Sequence, residues 1–341
     1  MVKLIRNLLI VMLMLGLVLM GVAFYVYQTL ATQSILITNP QLIVIPQGAS
    51  LTKIGDLLQS EGIITDAGDF ILLSKIQGQT TQLKAGRYQL SPGQTLLDVI
   101  HQLAAGKTHE ETITIPEGLT RHEIASRLQQ YAGLDSAVFV GLTENPVFCQ
   151  STGINQPTLE GYLFPDTYRL EWGITEETLI RRMVNQFKKQ LTEKDLNVAA
   201  TMGLTLHEVV TFASLVEKET AVPEERPIIA GVFHNRLKKG WKLETDPTVL
   251  YALGEHKKRL LYKDLEVDSP YNTYKYAGLP PGPICNPGAA ALKAVIYPAE
   301  VEYFYFVAKG DGSGRHTFSR TNQEHIAAKN EAKRQRRLRQ Q

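Results

Sequence analysis

Two glutamates two positions apart, Glu217 and Glu219, close an apolar run in ASLVEKETAVPEER, residues 213–226. A carboxyl group taken out of water there gains a raised pKa and keeps a proton to donate at neutral pH. An ordinary glutamate, near 4.3, is protonated in only about one molecule in 500 at pH 7, and moving it up two units takes about 2.7 kcal/mol of environment. The same burial serves structure if the carboxylate pairs with an arginine, and Arg226 and Arg236 are close in sequence.

The run reads as a helix opened by Thr205 and Glu208, a Thr-x-x-Glu capping box. At about 100° per residue, Leu206, Val209, Val210, Ala213 and Val216 make one apolar face, while Phe212 and Leu215 lie on the other, so burial on both sides is expected. Glu217 falls on the main face and Glu219 against Leu215 and Phe212, about 200° away. Periodicity alone does not choose between them.

Around this helix the chain reads as α+β. LIVIPQGASLTKIGDLL, YQLSPGQTLLDVIHQL and ITIPEGLTRHEIASRL share a strand, a turn containing Pro and Gly, a hydroxyl residue and helical spacing. In each an Ile stands eight residues after the Pro (Ile54, Ile100, Ile124), and Ser50, Thr95 and Thr120 are natural N-caps. With a further helix in AGDFILLSKIQG, residues 42–90 read strand, helix, helix, strand, which resembles the glycan-binding LysM arrangement; a purely structural role fits as well. TEETLIRRMVNQFKKQL is an amphipathic helix, and EGYLFPDTYRL reads as a loop or short strand lining a surface. GDGSGRHTF, after the strand YFYFVA, reads as a hairpin loop rather than a phosphate site.

Leu8 to Tyr27 is an uncharged span about as long as a bilayer's hydrocarbon core. Lys3 and Arg6 precede it and the next basic residue is Lys53, so the expected topology is single-pass with the N-terminus in the cytoplasm. Lys+Arg 36 against Asp+Glu 34 argues against a nucleic-acid partner, and the basic run from Lys329 to Arg339 reads as a solvated helix terminus or tail. Cys149 and Cys285 lack metal-ligand spacing, and the spacing does not say whether they pair. HEVVT, residues 207–211, has Thr211 where a zinc protease needs its second His. No metal or other cofactor is expected.

SLVEKETAVPEERPIIAGVFHNRL, LETDPTVLYALGE, SPYNTYKYAGLPPGPICNPG and HTFSRTNQEH together closely resemble the YceG-like family. The resemblance implies a membrane-anchored lyase outside the cytoplasmic membrane. It would cut peptidoglycan glycan strands internally, leave 1,6-anhydroMurNAc ends and terminate nascent strand elongation, with penicillin-binding proteins as possible partners. It implies Glu219 as the catalytic acid, with Glu217 and Thr220 supporting. In EGYLFPDTY, Phe164, Pro165 and Asp166 match the family, Tyr162 and Tyr168 stand where tryptophans are expected, and Glu244 replaces a more usual Gln. Tyr162, Phe164, Asp166, Tyr168, Asp246, Tyr271, Asn272 and Asn286 are the candidate cleft residues.

The expected organisation is a cytoplasmic tip and anchor over 1–30, a LysM-like module over 40–108, a catalytic domain over 110–330 and a basic tail over 331–341. Two other functions fit the same residues. One is a non-enzymatic wall-binding scaffold with structural glutamates. The other is a conventional muramidase, for which a second carboxylate would be needed.

Overall fold

A computed structural model describes residues 2–254, 257 and 260–339, with the side chains of residues 2–4 left aside. Met1, Gln340 and Gln341 of the terminal segments, the Lys3 side chain and Glu255 at the end of LETDPTVLYALGE lie outside the described residues. The chain divides into two compact units, residues 1–112 with 169–174, and residues 113–168 with 175–341.

The first unit opens with α1 (Val2–Ala31), whose stretch Ile5–Ala31 is long and apolar enough to cross a membrane. Most of it is exposed, as a lipid-facing helix would be. Then come β1 (Gln41–Ile45), α2 (Leu51–Ser60), α3 (Ala67–Ile76), β2 (Gly86–Leu90), α4 (Leu96–Ala105) and β3 (Glu111–Thr114, whose last two residues fall in the second unit). The strand, helix, helix, strand order is therefore present, and β1 pairs antiparallel with β2, Ile43 opposite Tyr88. Alternation along β1 sends Ile43 and Ile45 into the core while Leu42 and Val44 stay exposed.

The repeated Pro-to-Ile units fold as their spacing suggests. Ser50 caps α2, Thr95 caps α4, and Thr120 caps α5 (Arg121–Ala132) of the second unit, each accepting from the backbone N–H three residues on. Thr95 and Thr120 close reciprocal boxes with Asp98 and Glu123. Ile54, Ile100 and Ile124 are buried, because the fixed offset from the cap puts each on the inward face of its helix.

The end of α1 belongs to the core of this unit. Leu30, Ala31 and Ile35 are buried with Ile54, Phe70 and Val99, Tyr27 packs against that cluster, and Gln77 Nε2 donates to the Tyr27 hydroxyl at 3.1 Å. A chain begun at Gln33 should therefore be less stable than one begun at Tyr25, by about the 1.5–3 kcal/mol of burying one Leu plus smaller contacts. Urea unfolding of the two checks this, and equal midpoints with equal slopes would show that the end of α1 contributes nothing.

In the second unit α5 is followed by α6 (Ser136–Thr143), α7 (Pro146–Ser151), β4 (Thr167–Leu170, whose last two residues fall in the first unit), α8 (Glu176–Lys188), α9 (Glu193–Thr201) and α10 (Leu206–Glu219). Next are α11 (Arg226–Lys238), α12 (Asp246–Leu253), α13 (Ala289–Ile296), β5 (Tyr305–Ala308), β6 (His316–Ser319) and α14 (Asn322–Leu338). TEETLIRRMVNQFKKQL is α8, with Leu179, Met183 and Phe187 buried at spacing four, and GDGSGRHTF joins the antiparallel hairpin β5–β6. The basic C-terminal run continues α14 as a helix, with Ala332 buried.

α10 is the central helix, with every residue from Val209 to Val216 buried and α9, α11, α12 and α13 packed around it. Its Thr205–Glu208 capping box is formed as the spacing suggests. Ser214 Oγ accepts from the Ile284 N–H at 3.0 Å, which fixes the 284–285 strand of chain across the helix. EGYLFPDTYRL departs from its reading as a surface segment: Glu160 to Pro165 are all buried, and only Asp166, Thr167 and Arg169 reach solvent in its second half. Its aromatics face inward because they fill the core. Cys149 and Cys285 are both buried free thiols.

Candidate active site

Glu219 is the last residue of α10 and Thr220, in extended conformation, ends the helix. A carboxylate at that terminus meets the negative end of the helix dipole. Burial of the group, the neighbouring Asp246 charge and this dipole oppose ionisation, while the Thr245 hydroxyl bond and the Arg236 charge favour it; burial dominates and pushes the Glu219 pKa up to about 7. The residue as a whole is only half-buried, so its carboxyl is desolvated without being sealed.

Thr245 Oγ1 donates to Glu219 Oε1, which leaves Oε2 to carry a proton. The Thr245 N–H is held by Thr273 Oγ1 at 3.1 Å, and Thr245 itself is buried. The preceding residue, Glu244, is the one non-glycine with positive φ among the described residues, at 50°. Such a conformation is costly for a side chain with a Cβ, and here it bends the chain so that Thr245 meets Glu219. Asp246 begins α12 and is exposed; its Oδ1 accepts from the Tyr274 hydroxyl at 2.6 Å. Thr220 supports the corner, its Oγ1 accepting from the Val222 N–H at 3.0 Å.

Glu217 has a different environment. Arg226 Nη2 donates to its Oε1 at 2.7 Å and the Gly288 N–H, at the start of α13, to its Oε2 at 3.0 Å. Arg226 Nη2 also reaches Glu117 at 3.2 Å. The Glu217 and Arg226 side chains are 5% and 9% exposed, so this is a buried ion pair with both carboxylate oxygens in use. Desolvation still raises the Glu217 pKa, against the Gly288 bond and the Arg226 charge. A Cβ at Gly288 would meet the Glu117 carboxyl group, so a larger residue there would push the Glu117 side chain aside.

The sequence profile of the YceG-like family matches residues 43–331. The chain belongs to this family. It is 39% identical over 306 residues to the endolytic murein transglycosylase of Bacillus subtilis (strain 168), covering 84% of this chain and 83% of that protein. It is 34% identical over 295 residues to the endolytic murein transglycosylase of Streptococcus pneumoniae serotype 2 (strain D39 / NCTC 7466), and the match spans 53% of that longer relative. Among solved structures, a yceG-like protein from Listeria monocytogenes aligns with a TM-score of 0.58 at 38% identity, over 85% of this chain and 99% of that one.

The YceG-like chain places the other candidate residues in two settings. Of the cleft candidates, Asp246 lies close enough for its charge to act on Glu219. Tyr271 is half-buried, its ring 5.0 Å from that of Tyr251. Tyr162 is buried, its hydroxyl 2.8 Å from His207 Nδ1 and its ring edge-on to Phe187. Tyr168 donates to the Phe164 carbonyl at 2.6 Å, and both side chains are buried. Asn272 donates to the Leu265 and Val267 carbonyls and accepts from the Tyr274 N–H at 3.0 Å, so it shapes the loop that delivers Tyr274 to Asp246. Asn286 donates to the Leu119 carbonyl and Glu160 while accepting from the Leu163 N–H. Asp166 is exposed, bound by Gln186 Nε2 at 2.8 Å.

Glu160 is a second carboxyl held near pH 7. Burial pushes its pKa up to about 7 against the charge and hydrogen bonds of Arg121. Arg121 donates to it through both its N–H and Nη1, at 3.0 and 3.2 Å, and Asn286 adds a bond at 2.9 Å. With 2% exposure and its oxygens occupied, Glu160 is a structural hub. Thr245, Tyr274 and Arg236 complete the Glu219 surroundings without having been chosen as cleft residues from sequence. The signal for Thr245 was its place beside Asp246 in LETDP.

Proposed function

We propose that this chain is an endolytic peptidoglycan lytic transglycosylase, with Glu219 as its single general acid and base. The carrying observation is the setting of Glu219: a half-buried residue with its carboxyl held near pH 7, one oxygen fixed by Thr245 and the other without a hydrogen-bond partner among the described residues. The match to relatives named endolytic murein transglycosylase supports the substrate class. Protonated Oε2 delivers its proton to the glycosidic oxygen between MurNAc and GlcNAc, and the bond breaks with oxocarbenium character. The MurNAc 6-hydroxyl then bonds to its own C1 and returns its proton to Glu219. No water is consumed, and GlcNAc leaves with its 4-hydroxyl restored.

Residues 110–330 are assigned as the catalytic domain and 40–108 as a LysM-like module that holds the strand. The helix over 1–30 is assigned as an anchor with its N-terminus inside, on the Lys3 and Arg6 charges. Peptidoglycan synthases working on nascent strands are the partners this placement suits, and cutting there would end strand elongation.

The product decides the reaction. A well-placed internal hydroxyl reaches effective molarities of about 10⁵–10⁸ M and so outcompetes water. Cleaved strands should end in 1,6-anhydroMurNAc, weigh one water less than muramidase products and resist borohydride at the new end. Mass spectrometry of the products of purified protein checks this. Reducible MurNAc ends would make the chain a hydrolase, with Asp246 the first carboxylate to test as its partner. Absence of cutting would leave the wall-binding scaffold.

A further inference from the structure

A cleft of about 300 Å³ is lined by Arg236, Trp241, Lys242, Glu244 and Tyr305. It adjoins the proposed acid through the chain itself, because Glu244 is followed by Thr245, the residue that donates to Glu219. Trp241 is 42% exposed, with its ring braced by Phe304 at 5.2 Å and Tyr305 at 6.1 Å. A large aromatic face held open to water in this way is a platform for the C–H face of a sugar. Arg236 cannot swing away, since Nε donates to the Phe304 carbonyl and Nη1 to the Leu243 carbonyl, both at 2.7 Å, with its plane 5.5 Å over the Tyr305 ring. Glu244 at 3.9 Å offsets the Arg236 charge. Lys242 is exposed and has no hydrogen-bond or ion-pair partner among the described residues, so the unbalanced charge of the cleft is positive.

An aromatic platform next to an unpaired cation suits a ligand that joins a sugar ring to a carboxylate. We propose that this cleft is a glycan subsite beside Glu219. In it Trp241 stacks on one sugar, and Lys242 pairs with the carboxylate borne on the muramyl side chain, as free lactyl acid or as stem peptide. The inference rests on the peptidoglycan reading above and names the part of the substrate that this face recognises. Lys242 would then set specificity and Trp241 position the strand.

The test measures binding by the full-length Glu219→Gln chain, which holds strands uncut, to three probes: an uncharged GlcNAc oligosaccharide, peptide-free glycan strands and stem-peptide-bearing strands. Trp241→Ala in that background should weaken all three about tenfold or more, and Trp241→Phe should restore most of the loss. Lys242→Glu should weaken only the two carboxylate-bearing probes, by about tenfold, with the oligosaccharide unchanged. An effect on both strand types assigns Lys242 to either carboxylate, and an effect on one alone names its source. In the otherwise wild-type chain the same substitutions should raise KM with kcat held. Wild-type affinity after Trp241→Ala, or equal weakening of all probes by Lys242→Glu, would remove the subsite while cutting by the wild-type chain left the reaction standing. Absence of cutting with this binding pattern intact would remove the reaction and keep the subsite.

Discussion

Glu219→Gln should lower strand cutting by at least the 10²–10⁴-fold of a lost general acid while leaving the fold unchanged, because an amide nitrogen cannot hand a proton to the leaving oxygen. The amide oxygen still accepts the Thr245 bond, so little else is disturbed. Thermal unfolding beside the wild-type chain separates lost chemistry from lost structure. A folded Glu219→Gln chain that cuts at the wild-type rate would transfer the role to another group. The pH profile supplies an independent reading. The protonated form is the active one in the first step, so kcat/KM should hold below the Glu219 pKa of about 7 and fall about tenfold per unit above it. The Thr245 bond lowers that pKa, so Thr245→Val should move the alkaline limb to higher pH. Glu160 titrates in the same range but lies apart in the Arg121 network, so Glu160→Gln should leave the limb in place. A limb that vanished with Glu160 would reassign it.

How much of this could be read beforehand depended on the range of the interaction. Ser50, Thr95, Thr120 and Thr205 were legible as caps because a cap and its helix share one short segment of chain. Ile54, Ile100 and Ile124 were legible for the same reason. Both faces of α10 are buried as its double apolar pattern suggests. Arg226 could be named as a partner for a buried glutamate, being nine residues away from Glu217 on the next helix. Arg236, named equally, bonds to the Phe304 and Leu243 carbonyls and acts on Glu219 through its charge alone, and no local pattern separates these outcomes. Thr245, 26 residues from Glu219, depends on the strained Glu244 corner, and Gly288 on the packing of α13; neither follows from periodicity. The aromatics of EGYLFPDTY do not reveal their setting locally, because aromatic side chains line cores and sugar clefts alike. Tyr162 and Tyr168 have their hydroxyls answered by His207 and the Phe164 carbonyl, which only tertiary structure discloses.

Arg226→Met should be the most destabilising change near the site, costing about 3–5 kcal/mol, because it leaves Glu217 as a buried charge without its compensating cation. That is a large share of a total of about 5–15 kcal/mol for an ordinary domain. Glu217→Gln should cost less. The amide oxygen can still accept the Gly288 N–H, and Arg226 keeps Glu117 at 3.2 Å. The raised Glu217 pKa supports this asymmetry, since desolvation outweighs what Arg226 and Gly288 return and a neutral group is the easier one to bury there. The sign with pH follows. Removing Arg226 raises the Glu217 pKa further, so stability of the Arg226→Met chain should be fullest below the unfolded glutamate value and be lost as pH rises through the folded one. Acidification from neutrality toward about pH 5 should therefore recover part of the deficit in this chain and much less in Arg226→Met combined with Glu217→Gln. Urea unfolding of the three chains at two pH values measures this. If Glu217→Gln proved the more damaging substitution, or if it abolished cutting in a fully stable chain, the ion pair would not be the role of Glu217 and its carboxylate would have to be placed in the chemistry beside Glu219.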